Sequence, residues 1–267
     1  VFRTPRDIET NFRKSLGAIG PLMCVADIAT HELVNKRSND ELSKLTKKYK
    51  HKRLNLSQID LDDVALYVNL AHIAYINSRA ESFCADVVRY SKENSKVSES
   101  FNIDSVDFLR RSVFLVYARN NGLKKTNTSL AESIYIDFVG ENELLVIDYY
   151  RQLRNVEFHG GVDGEAVPPL DKQQTDAIRT IYNFSPNTFS ELSIRDVILY
   201  SQAWQTAAKR LCSKVVKIDN DLLGKILCKY VNDDDSRRRN ALRQKLKQDY
   251  LQSDDVINIL ESNGWVA

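Results

Sequence analysis

Apolar residues recur at steps of three and four along most of the chain, the spacing of one face of an α-helix. Ile76, Ala80, Phe83 and Val87 form the clearest stripe, inside a stretch that predicts a helix from Asp62 or Asp63 to Tyr90. Leu109, Val113, Val116 and Tyr117 repeat the spacing in a second helix, with Ser105 as N-cap, Asp107 in its first turn and Asn121-Gly122 at its end. Over 193–216 the stripe is Val197, Tyr200 or Ser201, Trp204, Ala208 and Leu211, which places Trp204 in a core. Residues 7–35 carry a helical pattern through Met23, Ala26, Ala29 and Leu33, interrupted near Gly17, Gly20 and Pro21. A short helix opens at Thr128 or Ser129 and runs to about Phe138, before a break at Gly140. Segments 219–230 and 237–259 predict two more helices, and the polar, serine-rich 91–103 a loop. Nine glycines and five prolines in 267 residues leave little punctuation. The fold class that follows is all-α.

A further helix, Glu141–Phe158, carries the candidate chemistry. Leu144, Ile147, Tyr150 or Arg151, and Arg154 sit three and four apart, so one face turns from apolar to cationic along its length. Tyr149 and Tyr150 either fill a core or stack on a base. The helix runs into Leu153-Arg154-Asn155-Val156-Glu157-Phe158-His159-Gly160-Gly161, followed by a break with Gly164 and Pro168-Pro169 that makes a candidate lip for a substrate. Arginine holds a phosphate with a planar fork of donors, and histidine moves a proton near neutral pH. Together they can handle a phosphodiester without a metal. Five residues at 3.6 per turn set Arg154 and His159 about 140° apart on a straight helix. Either the helix ends or distorts between them, or a second copy of the chain completes the site. Glu157, inside the motif, would repel a phosphate if it pointed inward.

Composition narrows the rest. Hydrophobic residues make up 43% and charged residues 28% of the chain, as in ordinary soluble proteins. A net charge of +2 gives no broad attraction to nucleic acid, so any basic patch is local. The densest basic run is Lys44, Lys47, Lys48, Lys50, Lys52 and Arg53, with Tyr49 and His51 interleaved. It reads as a solvated linker or as an RNA contact. Arg239, Arg243 and Lys247 form a second basic stripe that faces water or RNA. Asp233-Asp234-Asp235 reads as the charged start of a helix rather than a metal site, because chain neighbours point in different directions. His31 and Glu32 read as surface residues, and His72 as a core or interface histidine. Cys24, Cys84, Cys212 and Cys228 show no C-x-x-C pairing and read as buried free thiols. No run of about 18 apolar residues and no signal-peptide layout occurs, so a soluble, cytoplasmic protein without membrane contact is expected. Phosphate loops, His-Glu-x-x-His helices and nucleophile elbows are likewise missing from the sequence.

The string Arg154-Asn155-x-x-x-His159, entered from a leucine-rich helix and followed by Gly160, resembles the Arg-x4-6-His motif of HEPN domains. These are all-α modules of toxin, CRISPR-associated and abortive-infection ribonucleases. Tyr75-Ile76-Asn77-Ser78-Arg79-Ala80-Glu81-Ser82-Phe83 resembles the aromatic and acidic second helix of some of them, and the likeness spans roughly 60–215. It implies an N-terminal helical segment and basic linker over 1–55, a HEPN-like helical bundle over 56–216 and a helical C-terminal extension over 217–267. It further implies a homodimer with a composite active site that cleaves RNA, tRNA being one candidate, without metal or cofactor. Arg154, His159 and Asn155 would be catalytic, Glu81 and Arg79 would support them, and Lys47, Lys48, Lys50, Arg53 and Arg151 would contact RNA. An antitoxin or another defence component would be the partner. The alternative is a non-catalytic module of the same kind, binding RNA or a protein and mediating dimerisation.

Overall fold

The computed structural model describes residues 2–36, 38–51, 60–94, 107–123, 130–159 and 167–263. Among them the chain forms eleven α-helices and no strand. In order these are α1 (Pro5–Lys36), α2 (Asn39–Lys48), α3 (Leu61–Glu93), α4 (Phe108–Asn121), α5 (Glu132–Val139) and α6 (Glu141–His159). They continue as α7 (Lys172–Tyr182), α8 (Ile194–Lys214), α9 (Asn220–Leu227), α10 (Asp235–Gln248) and α11 (Asp254–Ser262). The all-α expectation is met.

The chain separates into two compact units. One comprises Val1–Lys14, Arg79–Leu144 and Trp204–Ala267; the other comprises Ser15–Ser78 and Leu145–Ala203. In the first unit Trp204 is fully buried, with Phe108 stacked on it at 5.9 Å and Phe12 edge-on at 6.3 Å. Phe12 also stacks on Phe83 at 4.6 Å. Ala80, Val87, Val113, Val116 and Leu211 of the same unit are also buried, as their helical spacing requires. A separate cluster of Leu223, Ile226, Leu242, Leu246 and Ile257 joins α9, α10 and α11. In the second unit Leu70, Ile73, Ile76, Ile147, Leu153, Ile178 and Leu199 are buried, as are two tyrosines, Tyr150 and Tyr200, whose rings lie 5.3 Å apart.

Several boundaries differ from the sequence reading, each for a local reason. Helix α1 passes through Pro21 without a break. Its ring removes one backbone hydrogen bond, yet the stripe Ile8, Phe12, Leu16, Met23 is buried on both sides of it and holds the helix together. Asp107, not Ser105, caps α4: its Oδ1 accepts from the backbone of Leu109 at 2.9 Å and Arg110 at 3.3 Å. Ser105, Thr128 and Ser129 lie outside the described residues. Helix α5 begins at Glu132, and α3 runs past Tyr90 to Glu93. The expected helix over 237–259 is two: the backbone turns at Leu251 (φ 57°), and Ser253 caps α11. Helix α7 was not anticipated; an Asp171–Gln174 capping box starts it and Asn183, in the left-handed region, ends it. The thiols of Cys84 and Cys212 are buried, whereas those of Cys24 and Cys228 are exposed; all four are free.

Candidate functional site

The second half of α6 is held in place one turn before the motif begins. Tyr149 donates to the carbonyl of Asn187 at 2.7 Å. Tyr150 donates to Asp196 Oδ1 at 2.7 Å. Asp196 has no exposed surface and gathers four more donors. These are the backbone N–H (2.9 Å) and the amide (3.0 Å) of Asn187, and the backbone N–H (2.9 Å) and hydroxyl (2.8 Å) of Ser193. Five donors satisfy this buried carboxylate, as a polar group shut away from water requires. They fasten α6 to the start of α8 and to the chain before it. Burial pushes the phenols of both tyrosines upward, further for Tyr150 beside the Asp196 charge, so both remain donors.

Arg154 follows one turn after Tyr150. It is half-buried, and its Nε is shielded from solvent with no acceptor among the described residues. Arg151 differs: its guanidinium holds Asp148 at 3.2 Å, three residues back. Asn155, Val156 and Glu157 are half-buried, and desolvation raises the Glu157 carboxyl above its ordinary value. Phe158 is 54% exposed. Helix α6 stays regular through His159, its last residue. That removes the option of a helix ending or distorting between Arg154 and His159. The two positions therefore keep their separation of about 140° around the axis, and one copy of α6 does not bring them to a common point.

The other expected site residues fall as follows. Lys47 and Lys48 end α2, and Lys50 lies just beyond it with φ 62°; all three are exposed. Lys44 also belongs to α2, so the first half of the basic run is a capped helix rather than a linker. Tyr49, 62% exposed, has the Lys48 ammonium 5.6 Å from its ring centre. Arg53 lies outside the described residues, as do Gly160, Gly161, Gly164 and the side chain of His159. Arg79 and Glu81 are exposed on α3 and belong to the unit that does not contain Arg154. His72 is half-buried with Nδ1 unpartnered among the described residues. Burial lowers its pKa, partly opposed by the Asp27 charge. Two members of the Arg239, Arg243, Lys247 stripe face neither water nor RNA alone. Arg243 holds Asn258 and Glu261, and Lys247 holds Asp254 at 2.6 Å, so they tie α10 to α11. Asp234 caps α10 by accepting from Arg237 N–H at 2.9 Å, which explains the aspartate triplet. No group of three or more His, Cys, Asp or Glu side chains able to hold a metal occurs among the described residues.

The residue that the sequence reading overlooked is Asp196. Its signal was present: Ser193-Ile194-Arg195-Asp196 has capping-box spacing, and the Asp196 carboxylate reaches back to the Ser193 N–H as that motif requires. Comparison of the chain with protein-family models, with curated proteins and with solved structures finds no match.

Proposed function

We propose that the protein is an endoribonuclease of the HEPN type that needs no metal. The observation that carries this reading is the Arg154 guanidinium: half-buried, its Nε without an acceptor among the described residues, on a helix fixed one turn upstream. A cation in such a setting is suited to an incoming anion. In the reaction the RNA 2′-hydroxyl attacks the adjacent phosphorus as the bond to the 5′-oxygen breaks, leaving a 2′,3′-cyclic phosphate and a 5′-hydroxyl. His159 takes the hydroxyl proton or gives one to the leaving oxygen. Arg154 stabilises the charge that builds on the phosphorane, and Asn155 orients the histidine or secures the helix end. Because about 140° separates Arg154 from His159, each pair forms between two copies in a homodimer. Lys47, Lys48, Lys50, Arg53 and Arg151 extend contact along the RNA, tRNA being one candidate. The cellular role is that of a toxin or phage-defence effector in the cytoplasm, held in check by an antitoxin or another defence component.

A second reading rests on Phe158, a large apolar side chain more than half exposed beside the motif. It suits a docking surface, and makes the chain a non-catalytic module that dimerises or binds a partner. Incubating purified protein with total RNA and tRNA in EDTA separates the two. Cleavage by wild type that leaves cyclic-phosphate ends, spares DNA, and disappears in Arg154→Ala and His159→Ala supports the enzyme. An inert wild-type dimer would shift the assignment to the binding module. Equal cleavage by all three proteins would remove the site from α6.

A further inference from the structure

A cavity of about 950 Å³ lies within the unit formed by Val1–Lys14, Arg79–Leu144 and Trp204–Ala267. That is near the upper end of the range for small-molecule sites, about 300–1,000 Å³. Two buried polar groups line it. Arg119 is only 8% exposed, and Ser91 only 2%. Arg119 Nη1 donates to the carbonyl of Val88 at 2.8 Å, but its Nε has no acceptor and no carboxylate pairs with it among the described residues. Ser91 Oγ is likewise unpartnered there. A buried charge is ordinarily neutralised by a counter-charge. Here burial instead pulls the Arg119 pKa down, the mark of a cation left without its anion.

The rim continues the pattern. Lys217, Lys225 and Lys229 line the cavity, are exposed, and make no ion pair among the described residues. Two of the lining carboxylates are already engaged: Asp249 by Lys245 at 2.6 Å, and Asp219 in capping α9. Glu93 and Asp221, the other two lining carboxylates, are exposed. The buried part of the site is therefore cationic and hydroxylic, and exposed lysines line the rest of it. Arginine forks and lysine point charges are the usual pair for phosphates, and the volume accommodates more than inorganic phosphate.

We propose that this cavity binds a small polyphosphorylated ligand of nucleotide size, with Arg119 and Ser91 receiving one phosphate and Lys217, Lys225 and Lys229 the others. The site is independent of the α6 motif. Calorimetric titration of the whole protein with ATP, pyrophosphate and adenosine tests it. ATP and pyrophosphate should bind and adenosine should not, with affinity falling as salt rises. Arg119→Gln should abolish binding. Because Arg119 is buried and its replacement can unfold the chain, the exposed pair Lys225→Ala/Lys229→Ala provides the second test, with roughly tenfold weaker binding expected. Arg154→Ala should leave the titration unchanged. Absence of heat with both ATP and pyrophosphate at about 1 mM would overturn the assignment. So would adenosine binding as tightly as ATP, or loss of binding in Arg154→Ala with the lysine pair unaffected.

Discussion

Tyr150 and Asp196, 46 residues apart in the chain, share a 2.7 Å hydrogen bond with neither side chain exposed. The bond places the turn of α6 from which Arg154 projects. A hydrogen bond to a charged group contributes about 1.5–3 kcal/mol, so Tyr150→Phe should lower unfolding free energy by roughly that amount. Asp196→Ala leaves several buried donors without an acceptor and should cost about 3 kcal/mol or more. Urea titrations of the three proteins measure both. Equal midpoints for wild type and Tyr150→Phe would show that the carboxylate is held by its other donors alone.

His72 should make stability depend on pH. Its folded pKa lies below the ordinary value of about 6.5 because burial disfavours the charged imidazole. Between the two values the unfolded chain binds more protons than the folded one, so stability falls as pH drops below about 6.5 and is fully present above it. Urea midpoints at pH 7.5 and 5.5 should differ more for wild type than for His72→Gln. An identical drop in the two proteins would assign the dependence to other groups.

Gly140 joins α5 to α6 at φ 105°, a conformation that side-chain-bearing residues rarely adopt. A Cβ there would fall against Glu143 Oε2 and the Arg210 guanidinium. Gly140→Ala should therefore destabilise the protein by about 1–3 kcal/mol, seen as a lower melting temperature. An unchanged melting temperature would mean that the connection relaxes freely.

The long helices were legible because their stripes are long: Ile76, Ala80, Phe83 and Val87 are all buried, as a helix spacing demands. What escaped depends on partners distant in sequence or on short caps. Helix α7 buries only Ile178, too little to show as a stripe. The turn at Leu251 carries no glycine or proline; Gln252 secures it by donating to the carbonyl of Ser213, 39 residues away. Pro21 reads as a break locally, but burial on both sides outweighs one lost hydrogen bond. At the candidate site, the cationic turn of α6 was visible in Arg151 and Arg154. Its fastening to Asp196 was not, because no periodicity links residues on different helices.

The separation of Arg154 from His159 around α6 yields the most direct test of the proposed composite site. If each working pair takes its arginine from one copy and its histidine from the other, Arg154→Ala and His159→Ala are each inert in EDTA. Mixed and re-equilibrated at equal amounts, they form heterodimers in which one complete pair survives. Half the dimers would then carry one pair of two, so RNA cleavage should return to roughly a quarter of the wild-type rate. A mixture that exchanges subunits yet stays inert, or single variants as active as wild type, would contradict a ribonuclease site shared between copies.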